Sequence, residues 1–317
     1  MATDIRGVTE APMRTIMGPL VTLWLVWGST YMGIGLMVKS MPPLLGSGSR
    51  FITASLVLGS MVLLVKGPAA FNVTWAQVRG AATMGVTILG FSIGILSLAL
   101  RYVPSGIAAL IVSAMPLWII FFRVRGGDRP SRLTLVGVGV GLLGLVLMLL
   151  PGGTAPVNGA SGSQVALWSV AIAFGSFSWA FFSFRSTRIE QPKEPLTTAV
   201  IELLAAGVFL CIVGALIGER WDFGAITQQS WAGWGYLVLA SATAYGAFVW
   251  LLNNAPMSLL ATYAYVNPVV AVFLGFVILN EVVTSDVIVG LSIVVGGVAL
   301  VVSGERRTRL KLNEQPQ

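Results

Sequence analysis

Long apolar stretches alternate with short polar ones along almost the whole chain. Each stretch has about twenty residues, which is the length an α-helix needs to cross the hydrocarbon core of a bilayer. Ten such helices with short loops would use nearly all of the 317 residues, so we expect no soluble domain. The ten predicted helices are residues 18–38, 44–65, 77–98, 104–122, 133–150, 164–184, 196–217, 231–252, 258–280 and 285–303.

Composition supports an all-α, polytopic membrane protein. Apolar residues make up 56% of the chain and charged residues 10%, whereas a soluble domain has about 25% charged residues. The mean hydropathy is +0.87. The chain has no histidine, the commonest metal ligand and general base, and its one cysteine, Cys211, can form no intrachain disulfide. We therefore predict no metal site and no cofactor.

The basic residues predict the orientation. The net charge of +7 comes from Lys and Arg in short loops, where they set topology rather than bind nucleic acid. With the N-terminus inside, fifteen of the 19 basic residues lie on the inner side, and the four on the outer side are Lys39, Arg50, Arg101 and Arg220. We therefore expect a multi-pass protein of the bacterial inner membrane with both termini in the cytoplasm.

The two halves of the chain repeat the same spacings. Pro104 precedes Pro116 by twelve residues, and Pro256 precedes Pro268 by the same number. Five spans per half is an odd number, so the second copy must enter the membrane upside down. Inverted repeats with a site near the midplane are a transporter design, the alternative being a duplicated scaffold without transport.

The repeat predicts five parts. They are a cytoplasmic N-terminal tail (1–17), a first repeat (18–150), a periplasmic linker rich in Gly, Ala and Ser (151–163), a second repeat (164–303) and a cytoplasmic C-terminal tail (304–317).

Several stretches resemble the EamA family of the drug/metabolite transporter superfamily. They include Trp27-Gly28-Ser29-Thr30-Tyr31, Val103-Pro104-Ser105-Gly106-Ile107-Ala108-Ala109, Gly175-Ser176-Phe177-Ser178-Trp179-Ala180 and Ala261-Thr262-Tyr263-Ala264-Tyr265-Val266-Asn267-Pro268. The resemblance implies a ten-helix transporter with a cavity between the repeats. It implies that helices 1, 3, 4, 6, 8 and 9 line the cavity while helices 5 and 10 are peripheral. Members export amino acids, metabolites or drugs, or import sugars, and the resemblance does not fix the substrate.

Two prolines are predicted inside helices, Pro116 and Pro268. Each removes a backbone hydrogen bond and displaces the carbonyl four residues back, which belongs to Val112 and Ala264 respectively. In lipid such a carbonyl needs a partner. It could face a polar cavity and bind substrate, or it could be satisfied by neighbouring side chains.

Polar and aromatic residues in the predicted cavity helices are candidates for substrate binding. Tyr263 and Asn267 share one helix face, and an Asn in a membrane helix either binds ligand or bonds a neighbouring helix. The other candidates, for which close packing or interfacial anchoring is the alternative role, are Tyr265, Ser29, Tyr31 and Trp179.

Two charged residues fall inside predicted spans, Arg50 and Glu202. Each lies about 9 Å deep from opposite faces of the bilayer, which would separate them by about 12 Å along the membrane normal and disfavour a direct pair. Glu202 could relay a proton and couple transport to the proton gradient. Its alternative role is a buried hydrogen-bonded group that braces helix 7.

Gly137 and Gly141 form a Gly-xxx-Gly face on helix 5 that lets another helix approach closely. This face fits packing within the subunit or a homodimer contact.

The residues favour a secondary transporter that moves an amino acid or similar amphipathic metabolite across the inner membrane by alternating access. We expect efflux, although the residues themselves do not fix the direction. Its partners would be a small-molecule substrate and the lipid bilayer. The alternatives are an intramembrane enzyme, for which no nucleophile with a base is found, and a channel-like facilitator, which would require rings of like charges or carbonyls.

Overall fold

A computed structural model describes residues 12–125, 127, 130–149, 159–185, 189–255, 260 and 263–313. Within these residues the chain forms ten long helices. They are α1 (Met13–Thr22, a π-helical segment Leu23–Trp27, and Gly28–Met37), α2 (Pro43–Lys66), α3 (Trp75–Met84, a π-helical segment Gly85–Gly90, and Phe91–Ala99), α4 (Ser105–Ser113 and Met115–Arg125), α5 (Arg132–Leu149), α6 (Gly162–Arg185), α7 (Pro195–Leu216), α8 (Gln228–Asn254), α9 (Tyr263–Leu279) and α10 (Ser285–Asn313).

The predicted all-α fold is confirmed. Five unbroken helices of the described residues are long and apolar enough to cross a membrane by themselves: Arg14–Met37, Pro43–Lys66, Trp75–Ala99, Gly162–Arg185 and Pro195–Leu216. Large apolar side chains remain exposed along these helices, as is expected where lipid rather than water surrounds them. The largest difference is at the C-terminal end, where α10 continues through the basic run to Asn313 instead of ending near residue 303.

The packing of the helices follows an inverted two-fold relation between the halves. Three helices of the first half pack on their own counterparts in the second: α2 on α7, α4 on α9 and α5 on α10. The pair α1 and α8 corresponds likewise to the pair α6 and α3. Below, the side of the bundle where α1 begins and α10 ends is called the terminal side, and the opposite side is called the far side.

Glycines bring α2 and α7 into backbone contact. A Cβ added to Gly48 would lie 2.8 Å from the carbonyl oxygen of Gly207, and a Cβ added to Gly207 would lie 2.8 Å from that of Gly48. The Ser55 hydroxyl donates to the Val200 carbonyl at 2.8 Å on the same interface. The two helices therefore run antiparallel, and their backbones are in contact at these glycines.

Glycines also join α5 and α10. A Cβ on Gly137 would lie 2.7 Å from the carbonyl oxygen of Gly297, and one on Gly141 would lie 2.8 Å from Leu117 of α4. The predicted Gly-xxx-Gly face is thus covered within the subunit. A homodimer would have to use another surface.

Two carboxylates of the second half cap helices of the first half on the far side. Glu219 accepts hydrogen bonds from the backbone N–H groups of Leu44 (3.0 Å) and Leu45 (2.8 Å) at the start of α2. Glu281 accepts from the N–H (2.7 Å) and hydroxyl (3.0 Å) of Ser105 at the start of α4. Both place a negative group at a positive helix end, so they tie the halves together on this side.

Candidate functional site

A narrow cavity lies between the two halves. Helices α1, α3 and α4 of the first half and α6 and α9 of the second half line it. Its volume of about 50 Å³ is room for only a few water molecules. The lining residues are Trp27, Tyr31, Ser92, Ile93, Leu96, Val112, Met115, Ile172, Ser176, Trp179, Tyr263 and Asn267, none of which is charged.

Trp27 is the centre of the aromatic part of this wall. Its indole stacks on Tyr263 at a centroid distance of 5.4 Å and an interplanar angle of 13°. Phe248 of α8 meets it edge-on at 5.1 Å, and Trp179 of α6 lies at 6.2 Å. Aromatic pairs of this kind contribute beyond their buried area. Trp27 therefore couples α1 to three helices of the second half.

Both π-helical segments lie beside the cavity. The segment in α1 ends at Trp27, and the segment in α3 ends at Gly90, just before Ser92 and Ile93. Extra residues of this type re-aim the side chains that follow them and are frequent at functional sites. The lining residues of α1 and α3 lie at the end of these segments or in the turns that follow them.

Asn267 offers the cavity an acceptor. In the orientation that satisfies its surroundings, its amide nitrogen donates to the carbonyl oxygens of Trp24 (3.2 Å) and Tyr263 (3.3 Å). The side chain is buried at 6% exposure. Because the nitrogen is engaged by the backbone, the amide oxygen is the group that a ligand can use.

The chain breaks α4 just before Pro116. The first part of the helix ends at Ser113, Ala114 caps it, and the second part begins at Met115, so Pro116 occupies the first turn of a new helix. Proline is tolerated there because that turn needs no N–H donor. The prediction that Pro116 lies inside one helix is therefore corrected, whereas Pro268 does lie inside α9.

The carbonyl of Val112, which was predicted to lose its backbone partner, is bonded by a side chain. The hydroxyl of Ser176 on α6 donates to it at 3.4 Å, and both residues line the cavity. The two roles weighed for this carbonyl were facing a polar cavity and being bonded by a neighbouring side chain. Both apply, because Ser176 bonds it at the cavity wall.

Four of the candidate residues come together at the cavity: Tyr31, Trp179, Tyr263 and Asn267. Ser29 lies outside the lining. Its hydroxyl bonds to the carbonyls of Leu25 (2.6 Å) and Val26 (2.9 Å) in its own helix and pairs with the hydroxyl of Tyr236 on α8. This is the packing role weighed for it. The side chain of Tyr265 lies outside the described residues.

Sequence reasoning missed most of the apolar and serine lining. Ser92, Ile93, Leu96, Met115 and Ile172 were not among the candidates. Their helices are apolar on all faces, so no period in the sequence marks the cavity side. The serines Ser92 and Ser176 were the available signal, as hydroxyls within apolar runs, but neighbouring serines such as Ser97 and Ser178 share this property.

Arg50 and Glu202 lie in one buried layer outside the cavity. Because Gly48 packs on Gly207, the antiparallel register offsets the two charged residues by only about 4.5 Å along the helices. The expected separation of about 12 Å is thus too large. It assumed that the outer ends of α2 and α7 lie a full bilayer thickness apart, whereas the observed register brings them closer.

Helix α8 bridges this layer. An Nη1 hydrogen of Arg50 is donated to the hydroxyl of Ser241 at 2.7 Å. One turn later the Tyr245 hydroxyl donates to the Glu202 carboxyl. Arg50 and Glu202 form no direct ion pair; each bonds α8 instead, so the predicted absence of a pair is confirmed, but not for the predicted reason of depth.

Three comparisons with known proteins agree. The model of the EamA-like transporter family matches residues 17–150 and 166–303. The uncharacterized inner membrane transporter YedA of Escherichia coli is 36% identical over 92% of this chain and 91% of its own length. The threonine/homoserine exporter RhtA of Salmonella typhimurium is 27% identical over 94% of both chains.

A solved crystal structure shares the fold. It superimposes with a TM-score of 0.64 over 93% of this chain and 99% of its own, at 18% sequence identity. The two repeats, the cavity between them and the matches over both halves lead to one assignment: this chain is a membrane protein that belongs to the EamA-like transporter family.

Proposed function

We propose that this protein is a secondary transporter that exports a small amphipathic metabolite, such as an amino acid, by alternating access. The observation that carries the proposal is the composition of the cavity, which takes its wall from both halves and combines aromatic rings with the amide of Asn267. A wall shared by inverted repeats changes shape whenever the halves move against each other.

The lining favours a substrate with an apolar body and hydrogen-bond donors. Trp27, Trp179 and Tyr263 offer ring faces, which attract apolar groups and the ammonium group of an amino acid. Asn267 offers an acceptor. No charged side chain is among the lining residues, so a substrate with net negative charge would find no counter-ion there.

The relatives support the same class. One relative is named as a threonine/homoserine exporter, so threonine and homoserine are the first compounds to test. The cavity of about 50 Å³ must widen to hold either, which is the conformational change that alternating access requires.

The test is counterflow in proteoliposomes that contain the purified full-length protein. Vesicles preloaded with unlabelled threonine or homoserine should take up the labelled compound transiently and saturably, and Asn267→Ala should weaken this uptake. A membrane conductance without saturation would instead indicate a channel-like facilitator. Absence of counterflow across an amino-acid panel would contradict the proposed substrate class.

A further inference from the structure

The charged layer between α2, α7 and α8 has no part in lining the cavity, yet it contains the two most buried charged side chains among the described residues. Glu202 is 6% exposed and Arg50 is 3% exposed. Intramembrane charges are costly and are retained mainly where they bind or move ions. Their chemistry therefore requires an explanation besides substrate contact.

The neighbours of Glu202 are few. Helices α2, α3 and α8 pack on α7. Their ionisable residues are Arg50 and Lys66 on α2, Arg79 near the start of α3, and Tyr236 and Tyr245 on α8. Lys66 is paired with Glu194 at 2.7 Å on the terminal side, and Tyr236 is paired with Ser29. On α7 itself, Cys211 lies more than two turns away beside Gly48.

The remaining groups form a chain of contacts through α8. The guanidinium of Arg50 donates to Ser241 and lies 4.1 Å above the ring of Phe51. Its Nε is buried and has no hydrogen-bond partner among the described residues. Ser241 and Tyr245 lie one turn apart on the same helix face, and Tyr245 donates to Glu202. The positive guanidinium of Arg50 and the carboxyl of Glu202 thus bond to α8 at positions one turn apart.

We propose, on the basis of the transporter function proposed above, that Glu202 and Tyr245 form a proton-binding site whose loading is coupled to transport, with Arg50 as its fixed counter-charge. A proton from water forms an O–H bond with the Glu202 carboxylate on one side of the cycle. It returns to water on the other side, so no other reactant is needed.

The coupling follows from charge balance. With Glu202 ionised, the layer is neutral overall. When Glu202 binds a proton, the charge of Arg50 is uncompensated, which is costly in a dry interior and is relieved by water. Arg50 lies seven residues from the far-side end of α2, and Glu202 lies seven residues from the terminal-side end of α7. Opening toward the far side hydrates Arg50 and favours the loaded form, and opening toward the terminal side exposes Glu202 for release.

The site reaches the cavity through aromatic rings. The ring of Tyr245 lies 6.2 Å from that of Phe248, its neighbour one turn along α8. Phe248 contacts Trp27 at 5.1 Å and Tyr263 at 6.3 Å. A shift of α8 that alters the Tyr245–Glu202 bond therefore also moves the aromatic wall of the cavity.

The first test needs no substrate. Infrared difference spectra of the purified protein between two pH values should contain a band of a buried protonated carboxyl. Glu202→Gln should remove the band. Tyr245→Phe, which keeps the ring, should move it to higher frequency because the carbonyl loses a donor. Asp286→Asn, an exposed carboxyl at the start of α10, should leave it in place. Persistence of the band in Glu202→Gln would overturn the proton site.

The second test measures coupling with threonine as the probe in proteoliposomes, with the membrane potential held at zero. One proton exchanged per substrate lets a gradient of one pH unit support about a tenfold substrate gradient. The wild type should approach this ratio and Glu202→Gln should remain near unity. Counterflow without any response to the proton gradient in the wild type would overturn the coupling. Failure of counterflow itself would contradict the proposed substrate instead, and the infrared band would still decide the proton site.

Discussion

The indole of Trp27 in the first half stacks on the phenol ring of Tyr263 in the second half, 5.4 Å apart and nearly parallel. The stack is one of the few places where the cavity wall joins the two repeats directly. It also borders the groups that we expect to contact substrate.

Removing either ring should weaken substrate binding more than transport capacity. A contact between a ring face and an ammonium group contributes about 0.5–2 kcal/mol, so Trp27→Ala and Tyr263→Ala should each raise the KM for counterflow by about 2- to 30-fold. Tyr263→Phe, which keeps the ring, should have a smaller effect. Phe223→Ala, an exposed ring in the far-side loop, is the control. An unchanged KM in both alanine variants would remove the stack from the binding site.

Two glycines of α5 that lie two residues apart, on different faces of the helix, should respond in opposite directions. A Cβ on Gly137 meets the backbone of Gly297 and Val301 at 2.7 Å, whereas a Cβ on Gly139 meets nothing within 4 Å. Gly137→Ala should lower the free energy of unfolding by about 1–3 kcal/mol. Gly139→Ala should raise it by up to about 1 kcal/mol, through helix propensity. Thermal unfolding in detergent measures both, and equal shifts would show that this helix face does not pack on α10.

Loss of the Glu281 carboxylate should open the far side of the bundle. Hydrogen bonds to a charged group contribute about 1.5–3 kcal/mol, and Glu281→Gln weakens those with Ser105. We expect faster modification of a cysteine at the cavity position Leu96 in a Cys211→Ser background, measured with a membrane-impermeant maleimide added from outside. Asp222→Asn, an exposed far-side carboxyl, is the control. An unaltered labelling rate would show that this cap does not hold the halves together.

The orientation of the chain is testable by fusion. Fifteen of the 19 basic residues fall in sequence segments that we predict to be cytoplasmic. A reporter that is active only in the cytoplasm should therefore be active when fused after Asn313, and alkaline phosphatase fused there should be inactive. The same enzyme inserted in the loop at Gly224 should be active. The reverse pattern would invert the direction of transport that we propose.

The sequence predicted the helices better than the site. Segment length and hydropathy located α2, α3, α6 and α7 to within a few residues, because a bilayer fixes how long a spanning helix must be. The π-helical segments of α1 and α3 were not predictable, since no residue type specifies an extra backbone residue in a turn. Both segments lie beside the cavity.

The break in α4 illustrates a second limit. Pro116 predicted an interruption of the helix, but proline is compatible both with a kink inside one helix and with the first turn of a new helix. Only the contact of Ser176 with the Val112 carbonyl shows which neighbour compensates the break. Likewise, the depth of Arg50 and Glu202 could be counted from their helix ends, whereas their register depended on the Gly48–Gly207 crossing.

The Gly48–Gly207 crossing also constrains how the molecule can move. At this point the two backbones meet directly, and the side chains of Cys211 and Ile52 lie beside the contact. The helices can pivot here once these two side chains adjust, and the glycine contact itself is kept while the helix ends separate. We expect the rest of the bundle to lever around it, so that a small angular change there becomes an opening several ångströms wide at either membrane surface.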